Sequence, residues 1–296
     1  PVVLFGKAIG LVDRLFNEKR LSAETKRFNG AAGIAGLLAA SVFLGFLLHR
    51  ILAPLGLFGT LVEVAIVAVF LAQKSLQDHV LAVSVGVRQG GIEGGRRAVS
   101  MIVGRDPATL DEPAVCRAGI ESLAENFSDG VVAPALWYAL FGLPGLFAYK
   151  MLNTAESMIG HKSVKYLDFG WAAARLDDLA NWPAARFSIV FLAAGAWVAK
   201  DRAAARLALG TALRDAGLHR SPNSGWPEAA MAGALGIGLA GPRIYGGARV
   251  DEPMMNASGR TVAAVADIDL SLRIFSAACA ALAVAVLLAA LAAALL

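Results

Sequence analysis

Two long apolar runs, at about residues 31–53 and 274–296, constrain this chain more than any other feature of its sequence. A hydrocarbon core about 30 Å thick takes about 20 apolar residues of helix, and each run meets that length. Within a bilayer every backbone N–H and C=O must be satisfied inside the segment, so such runs are helices. A third stretch, 57–73, is shorter and carries Glu63, yet it follows the first after the turn-like "APLGLFG", which predicts a helical hairpin. Two further stretches are less regular. "GVVAPALWYALFGLPGLFAY" is interrupted by "FGLPG", and "PAARFSIVFLAAGAWVA" is barely long enough to cross. Each reads as a span or as a broken or re-entrant piece, which a membrane tolerates only where it lines a protein cavity.

Composition agrees: 57% of the 296 residues are hydrophobic and 17% charged, against roughly 45–50% and about 25% in soluble domains. No period-2 alternation is long enough for a sheet, and no internal repeat stands out. The predicted fold class is therefore all-α, a polytopic integral membrane protein of roughly four to five membrane helices with broken or re-entrant segments and cytoplasmic helical loops. It reads as one membrane domain over 1–296, in which the polar helical segments 74–129 and 150–182 form the expected active site. Lys19, Arg20, Lys26 and Arg27 precede the first span and put the amino terminus in the cytoplasm by the positive-inside tendency. The net charge of +4 comes without a basic block interleaved with aromatics, so nucleic acid is not an expected partner. Cys116 and Cys279 have no ligand-spaced neighbours and imply neither disulfide nor zinc site. The chain opens "PVVLFGKAIGLVDRLF" without an initiator methionine, which reads as a trimmed start, and no cleavable signal peptide is visible.

The polar islands carry the chemistry. In "DEPAVCRAGIESLAENFSDG", Asp111 or Glu112 suits a helix start with Pro113 in the first turn, and Gly130 suits the residue after its end. Glu121, Glu125 and Asp129 then recur at i, i+4, i+8 as one acidic stripe. Like charges at that spacing repel by about 0.2–0.5 kcal/mol per pair, and the negative end of the helix dipole disfavours the last two by about 0.3–1 kcal/mol. Either Arg117 pairs with Glu121 and water solvates the rest, or a cation is missing. Mg²⁺ takes a few carboxylates plus phosphates, with Asn126 and Ser128 as neutral donors. "RLDDLANWP" repeats the arrangement with Asp177, Asp178 and Asn181. There Asn181 capping a following helix and Arg175 pairing with Asp178 compete with a ligand role. Between the groups, Asn153, Glu156 and Ser157 share a helix face that Gly160 ends, and His161, Lys162 and Lys165 offer donors for phosphate or carboxylate, or contact lipid head groups. "SPNSGWPEAAMAGALG" reads as a helix opened by Ser224 or Gly225 with a small-residue packing face. "RQGGIEGGRR" lacks the spacing and the Lys-Ser/Thr of a P-loop.

Taken in order, "RRAVSMIVGRD", "ESLAENFSDGVVAPALWYALFGLPG", "KMLNTAESMIGHKSVKYLDFGWAAARLDDLANWPAAR" and "SPNSGWPEAAMAGALG" resemble the adenosylcobinamide-phosphate synthase family, the CobD/CbiB cobalamin-biosynthesis membrane proteins. The likeness covers nearly the whole chain. The family carries Thr after the Asn of its "AEN" motif, where this chain has Phe127.

The resemblance implies an ATP-dependent ligase of the cytoplasmic membrane that joins aminopropanol, or its phosphate, to the free propionate of adenosylcobyric acid. Such chemistry needs metal ligands, cations along the phosphates and a base for the incoming ammonium. On that basis Glu121, Glu125 and Asp129 are the expected Mg²⁺ ligands, and Asn126, Ser128, Asn153, Lys162, Lys165 and Arg175 the expected contacts to ATP or the propionate. Asp177, Asp178, His161 and Glu156 are the candidate acid–base groups. The lipid bilayer and other corrinoid-pathway enzymes are the further expected partners. Trp137, Tyr138, Trp171 and Trp182 read either as walls of a corrin cavity or as interfacial anchors. The rival reading is a membrane transporter or binding protein for a corrinoid or other anion, which Glu63 inside a span would suit.

Overall fold

The computed structural model describes residues 2–103, 107–161, 163–241, 243–245 and 248–295. The described elements are almost entirely helical. They are α1 (Val2–Phe16), α2 (Ala23–Leu52), α3 (Gly56–Phe70), α4 (Gln73–Val99), α5 (Glu112–Phe127), α6 (Ala133–Ile159), α7 (Trp171–Ala199), α8 (Arg202–Asp215), α9 (Gly225–Leu235) and α10 (Val265–Leu295). Among the described residues, four stretches are long and apolar enough to cross a membrane, within Ala23–Val99, Glu112–Ile159, Trp171–Ala199 and Val265–Ala292. Large apolar side chains stand exposed along them, among them Phe43, Leu57, Phe58 and Leu288, as lipid-facing surface requires. Two short antiparallel pairs interrupt the helices: β1 (Leu239–Ala240) aligns Leu239 with Met255 of β4 (Met254–Met255), and β2 (Arg243–Tyr245) pairs with β3 (Ala248–Val250).

Two glycines explain why apolar stretches of awkward length exist. Gly142 (φ 63°, ψ −151°) and Gly91 (φ 56°, ψ −154°) adopt backbone angles that residues with a Cβ scarcely reach. At each the helix doubles back. A Cβ on Gly145 would lie 2.3 Å from the Trp137 carbonyl oxygen, and one on Gly94 2.2 Å from that of Gly86. Eight residues of continuous helix would separate those partners by about 12 Å. The "FGLPG" interruption is thus a reversal inside α6, and "RQGGIEGGRR" is a tight helical hairpin whose glycines let two backbones touch.

Contacts divide the chain into two units that interleave in sequence. The first comprises 1–71 and 133–181, the second 72–132 and 182–296. In the first, α2 packs on α6, α1 and α3 around Phe5, Phe70, Leu146, Phe147 and Phe169. Gly45 of α2 meets the α6 reversal so closely that a Cβ would fall 2.7 Å from Leu143 and Pro144 backbone atoms. In the second, α4, α5 and α10 pack together and α8 pairs with α9. Phe127 is fully buried and meets Phe275 edge-on at 5.7 Å.

Candidate functional site

The acidic stripe lies in the second unit. Asp111 caps α5 as expected, accepting from the Ala114 N–H at 2.8 Å. The expected end at Gly130 does not occur, because the helix widens into a π-turn at Ser128–Val132 and continues as α6. The unfavourable helix-dipole argument therefore falls away. Such turns add a residue to the ladder and turn the following side chains out of register.

The three acids consequently meet different surroundings. Glu121 is 4% exposed and accepts the Ala240 N–H at 2.8 Å. Arg117 donates to the Thr261 carbonyl at 3.1 Å and is not paired with Glu121, the alternative to a missing cation. Glu125, half-buried, accepts the Ser224 hydroxyl at 2.8 Å. Asn126 is exposed, with its amide on the Ser122 carbonyl at 2.9 Å. Asp129 is half-buried, and the buried Ser128 hydroxyl has no hydrogen-bond partner among the described residues.

Around Glu125 the structure assembles side chains whose sequence context pointed only to helix packing. Ser224 opens α9 without capping it, because its hydroxyl is spent on Glu125. Its N–H and that of Asn223 donate to the Ser221 hydroxyl oxygen, and the Ser221 N–H donates to His219 Nδ1 at 3.0 Å. That bond leaves the proton of neutral His219 on Nε2, 3.8 Å from Glu228 Oε1. Arg186 lies between the rings of Trp182 and Trp226, 4.5 and 4.7 Å from their centroids, and donates to Asn223 Oδ1 at 3.0 Å. Only the presence of "SPNSGWPEAA" and "PAAR" among the shared strings hinted at this grouping.

The second polar cluster lies in the first unit. Asn153 and Glu156 on α6 and Asp177 and Asp178 on α7 are brought together, Glu156 and Asp178 acting on Asp177 through their charge and Asn153 through a side-chain hydrogen bond. Asn181 does not cap a helix, since α7 runs through it and Pro183 without a break. Its amide donates to Asp177 Oδ2 at 2.9 Å, and its oxygen accepts the Tyr149 hydroxyl at 2.7 Å. Arg175 is exposed rather than paired with Asp178. Gly160 follows the end of α6 as expected, and exposed His161 meets the edge of Tyr166 at 6.4 Å. Lys162 lies outside the described residues. Lys165 bonds to Asp13 Oδ2 and to the Tyr166 hydroxyl, both at 2.7 Å. Burial raises the Asp13 carboxyl, but the bonds from Lys165, Asn17 and Tyr166 outweigh it and hold that group below the usual carboxylate range.

Glu63, the acid inside a span, accepts the Tyr138 hydroxyl at 2.9 Å and faces His49 Nδ1 at 3.5 Å. Trp137 lines an apolar cavity of about 310 Å³ with Phe141, Pro144, Tyr149 and Leu152. Trp171 and Trp182 are exposed.

These features define an all-α polytopic membrane protein that holds carboxylates and amides inside its helical frame. The chain belongs to the CobD/Cbib protein family, which matches residues 1–275. It is 67% identical over 279 residues to the Cobalamin biosynthesis protein CobD of Sinorhizobium sp, covering 94% of this chain and 86% of that one. To the proteins of the same name from Rhizobium meliloti (strain 1021) and Rhodobacter capsulatus it is 65% and 44% identical, covering 94% and 87% of this chain and 85% and 79% of theirs. No solved structure matches.

Proposed function

We propose that this chain is an ATP-dependent amide ligase of the cytoplasmic membrane, joining (R)-1-aminopropan-2-ol or its O-phosphate to the propionate carboxylate of adenosylcobyric acid. The comparisons support a role in cobalamin biosynthesis, and the reaction within that pathway is our reading. The observation that carries it is the acidic cluster of Glu156, Asp177 and Asp178 between α6 and α7, with Glu125 on the last turn of α5 and Asp129 in the π-turn that follows as a second set of acids.

A carboxylate is a poor electrophile, so ATP first phosphorylates the propionate and leaves as ADP, and the amine, having lost its extra proton, then attacks the acyl phosphate and displaces inorganic phosphate. Among the described residues no three His, Cys, Asp or Glu side chains converge as a metal cage. Mg²⁺ in nucleotide sites uses only one or two carboxylates and takes its other ligands from phosphates and water. Glu125, Asp129 and the unbonded Ser128 hydroxyl fit that chemistry, with Asn126 beside them; the metal, when bound, neutralises charge on the phosphates. Glu121, one turn before Glu125 on α5, accepts the Ala240 N–H. In the sequence His161, Lys162, Lys165 and Arg175 lie between Glu156 and Asp177, and we take them as the source of positive charge for phosphate or propionate. The active site faces the cytoplasm, where ATP is.

A transporter would need an intramembrane acid free to bind and release its cargo, whereas both Glu63 oxygens already face partners, Tyr138 and His49. Purified protein in detergent, supplied with adenosylcobyric acid, aminopropanol phosphate, ATP and Mg²⁺, is expected to form ADP and the amide. No product with verified components would refute the ligase.

A further inference from the structure

Arg186 is a charge inside α7, within one of the stretches long and apolar enough to cross a membrane. An ionisable side chain in such a segment is costly and is ordinarily answered by an acid. Here every partner the structure gives it is neutral. Its Cζ lies over the faces of the Trp182 and Trp226 rings, 4.5 and 4.7 Å from their centroids. Its Nη1 donates to the Trp182 carbonyl and to Asn223 Oδ1, both at 3.0 Å. Among the described residues the guanidinium forms no ion pair, and its Nε and Nη2 have no acceptor. All of these residues belong to the second unit.

The consequence is geometric. A guanidinium carries five N–H donors in a rigid plane, and two acceptors on Nη1 use both hydrogens of that nitrogen. The Nε–H and one Nη2–H then remain side by side along a single edge, the fork that takes two oxygens of a carboxylate or phosphate at once. The indoles attract the cation and hold it in place without neutralising it. A half-buried charge with a fixed, open fork is suited to an incoming anion. Asn223 is followed in the chain by Ser224, whose hydroxyl donates to Glu125. Arg186 and Glu125 therefore hold adjacent residues at the start of α9. A phosphate offers oxygens to a guanidinium and to a carboxylate-bound metal together, so it fits that pairing better than a carboxylate does.

We propose that the Nε–Nη2 edge of Arg186 binds a phosphate group, with Trp182, Trp226 and Asn223 as positioning residues. The phosphate belongs to the nucleotide or to the phosphorylated amino alcohol, and the chemistry of recognition is the same for both. The ligase reading supplies these two carriers, while the phosphate site itself rests on the guanidinium geometry.

The test is calorimetric titration of the detergent-solubilised full chain with ATP and Mg²⁺, with 1-aminopropan-2-ol O-phosphate and, as the carboxylate control, with adenosylcobyric acid. Arg186→Lys keeps the charge and loses the fork. It should weaken at least one phosphate ligand by about ten- to a hundred-fold and leave adenosylcobyric acid unchanged. Weakening of ATP assigns the site to the nucleotide, and weakening of the aminopropanol phosphate assigns it to that substrate. Trp226→Leu should weaken the same ligand by several-fold and Trp226→Phe should restore most of the affinity, whereas a merely structural role would weaken every ligand alike or lower melting alone. Phenylglyoxal labelling of the wild type, read by peptide mass, needs no variant to fold: the same phosphate ligand should protect Arg186 and leave the exposed Arg202 reactive. No phosphate binding by wild type, phosphate affinities unchanged in Arg186→Lys, weakening of adenosylcobyric acid as well or alone, or an unprotected Arg186 would overturn the inference. Arg186-dependent phosphate binding without amide formation would instead sink the ligase reading and leave the phosphate site standing.

Discussion

Replacing Glu121 by alanine tests whether this acid is a strut or a metal ligand. Its carboxylate accepts the N–H of Ala240, which is itself buried and holds a positive φ of 62°. For a residue with a Cβ that conformation costs about 1–2 kcal/mol, and the hydrogen bond from Glu121 helps keep it. A hydrogen bond to a charged group is worth about 1.5–3 kcal/mol, and the alanine variant leaves a buried N–H unmet. That loss corresponds to a factor of about 10–150 in the folding equilibrium. At about 2–4 °C per kcal/mol for a chain of a few hundred residues, melting should fall by about 3–12 °C. Glu121→Gln keeps a neutral acceptor and should lose about half as much. Ala240→Gly, which relieves the φ strain, should restore part of the loss when combined with Glu121→Ala. Thermal unfolding in one detergent, followed by circular dichroism with and without excess Mg²⁺, measures all four proteins. Melting unchanged in both Glu121 variants, together with loss of Mg²⁺-dependent nucleotide binding, would refute the strut and return Glu121 to the metal.

Other consequences are equally open to measurement. Glu125→Gln and Asp129→Asn should each lower turnover by at least about tenfold while membrane insertion and melting stay within about 2 °C of wild type; full activity in both would reject the π-turn nucleotide site. Phe127→Ala should destabilise by about 3–5 kcal/mol, because it empties a fully buried ring position against Phe275, and denaturant titration reads it. Asp215 is held below the usual aspartate range first by the Arg214 guanidinium and then by the Asn256 N–H, at 2.7 Å each. Its folded value is depressed, so its contribution is fully present above the ordinary aspartate value near 4 and is lost as pH falls through the folded value. Melting of wild type should therefore drop more steeply below about pH 4 than that of Asp215→Asn. Gly45→Leu should block assembly of the first unit, since its side chain would occupy backbone of the α6 reversal, and a protease-resistance assay in membranes would detect the loss.

Elements whose causes are local are legible in the residues themselves. Apolar length dictates the α2–α3 hairpin and α10, because a bilayer offers no water to an unpaired backbone. Asp111 and Gly160 bound their helices through caps and turn chemistry that act within four residues. The spacing of Glu121, Glu125 and Asp129 and the long family strings pointed to the polar islands. Contacts between residues far apart in the chain depend on packing and have no local sign. Gly130 looks like a helix end, yet packing carries the helix past it through a π-turn, so the acids at i, i+4, i+8 separate onto Ala240 and Ser224. Asn181 looks like a cap before Pro183, yet α7 continues and the side chain joins Tyr149 to Asp177. Arg186 carries no local sign of the two indoles that enclose it. Helix propensity and capping are short-range energies readable from neighbours, whereas the fate of a buried carboxylate depends on which distant donor the fold delivers to it.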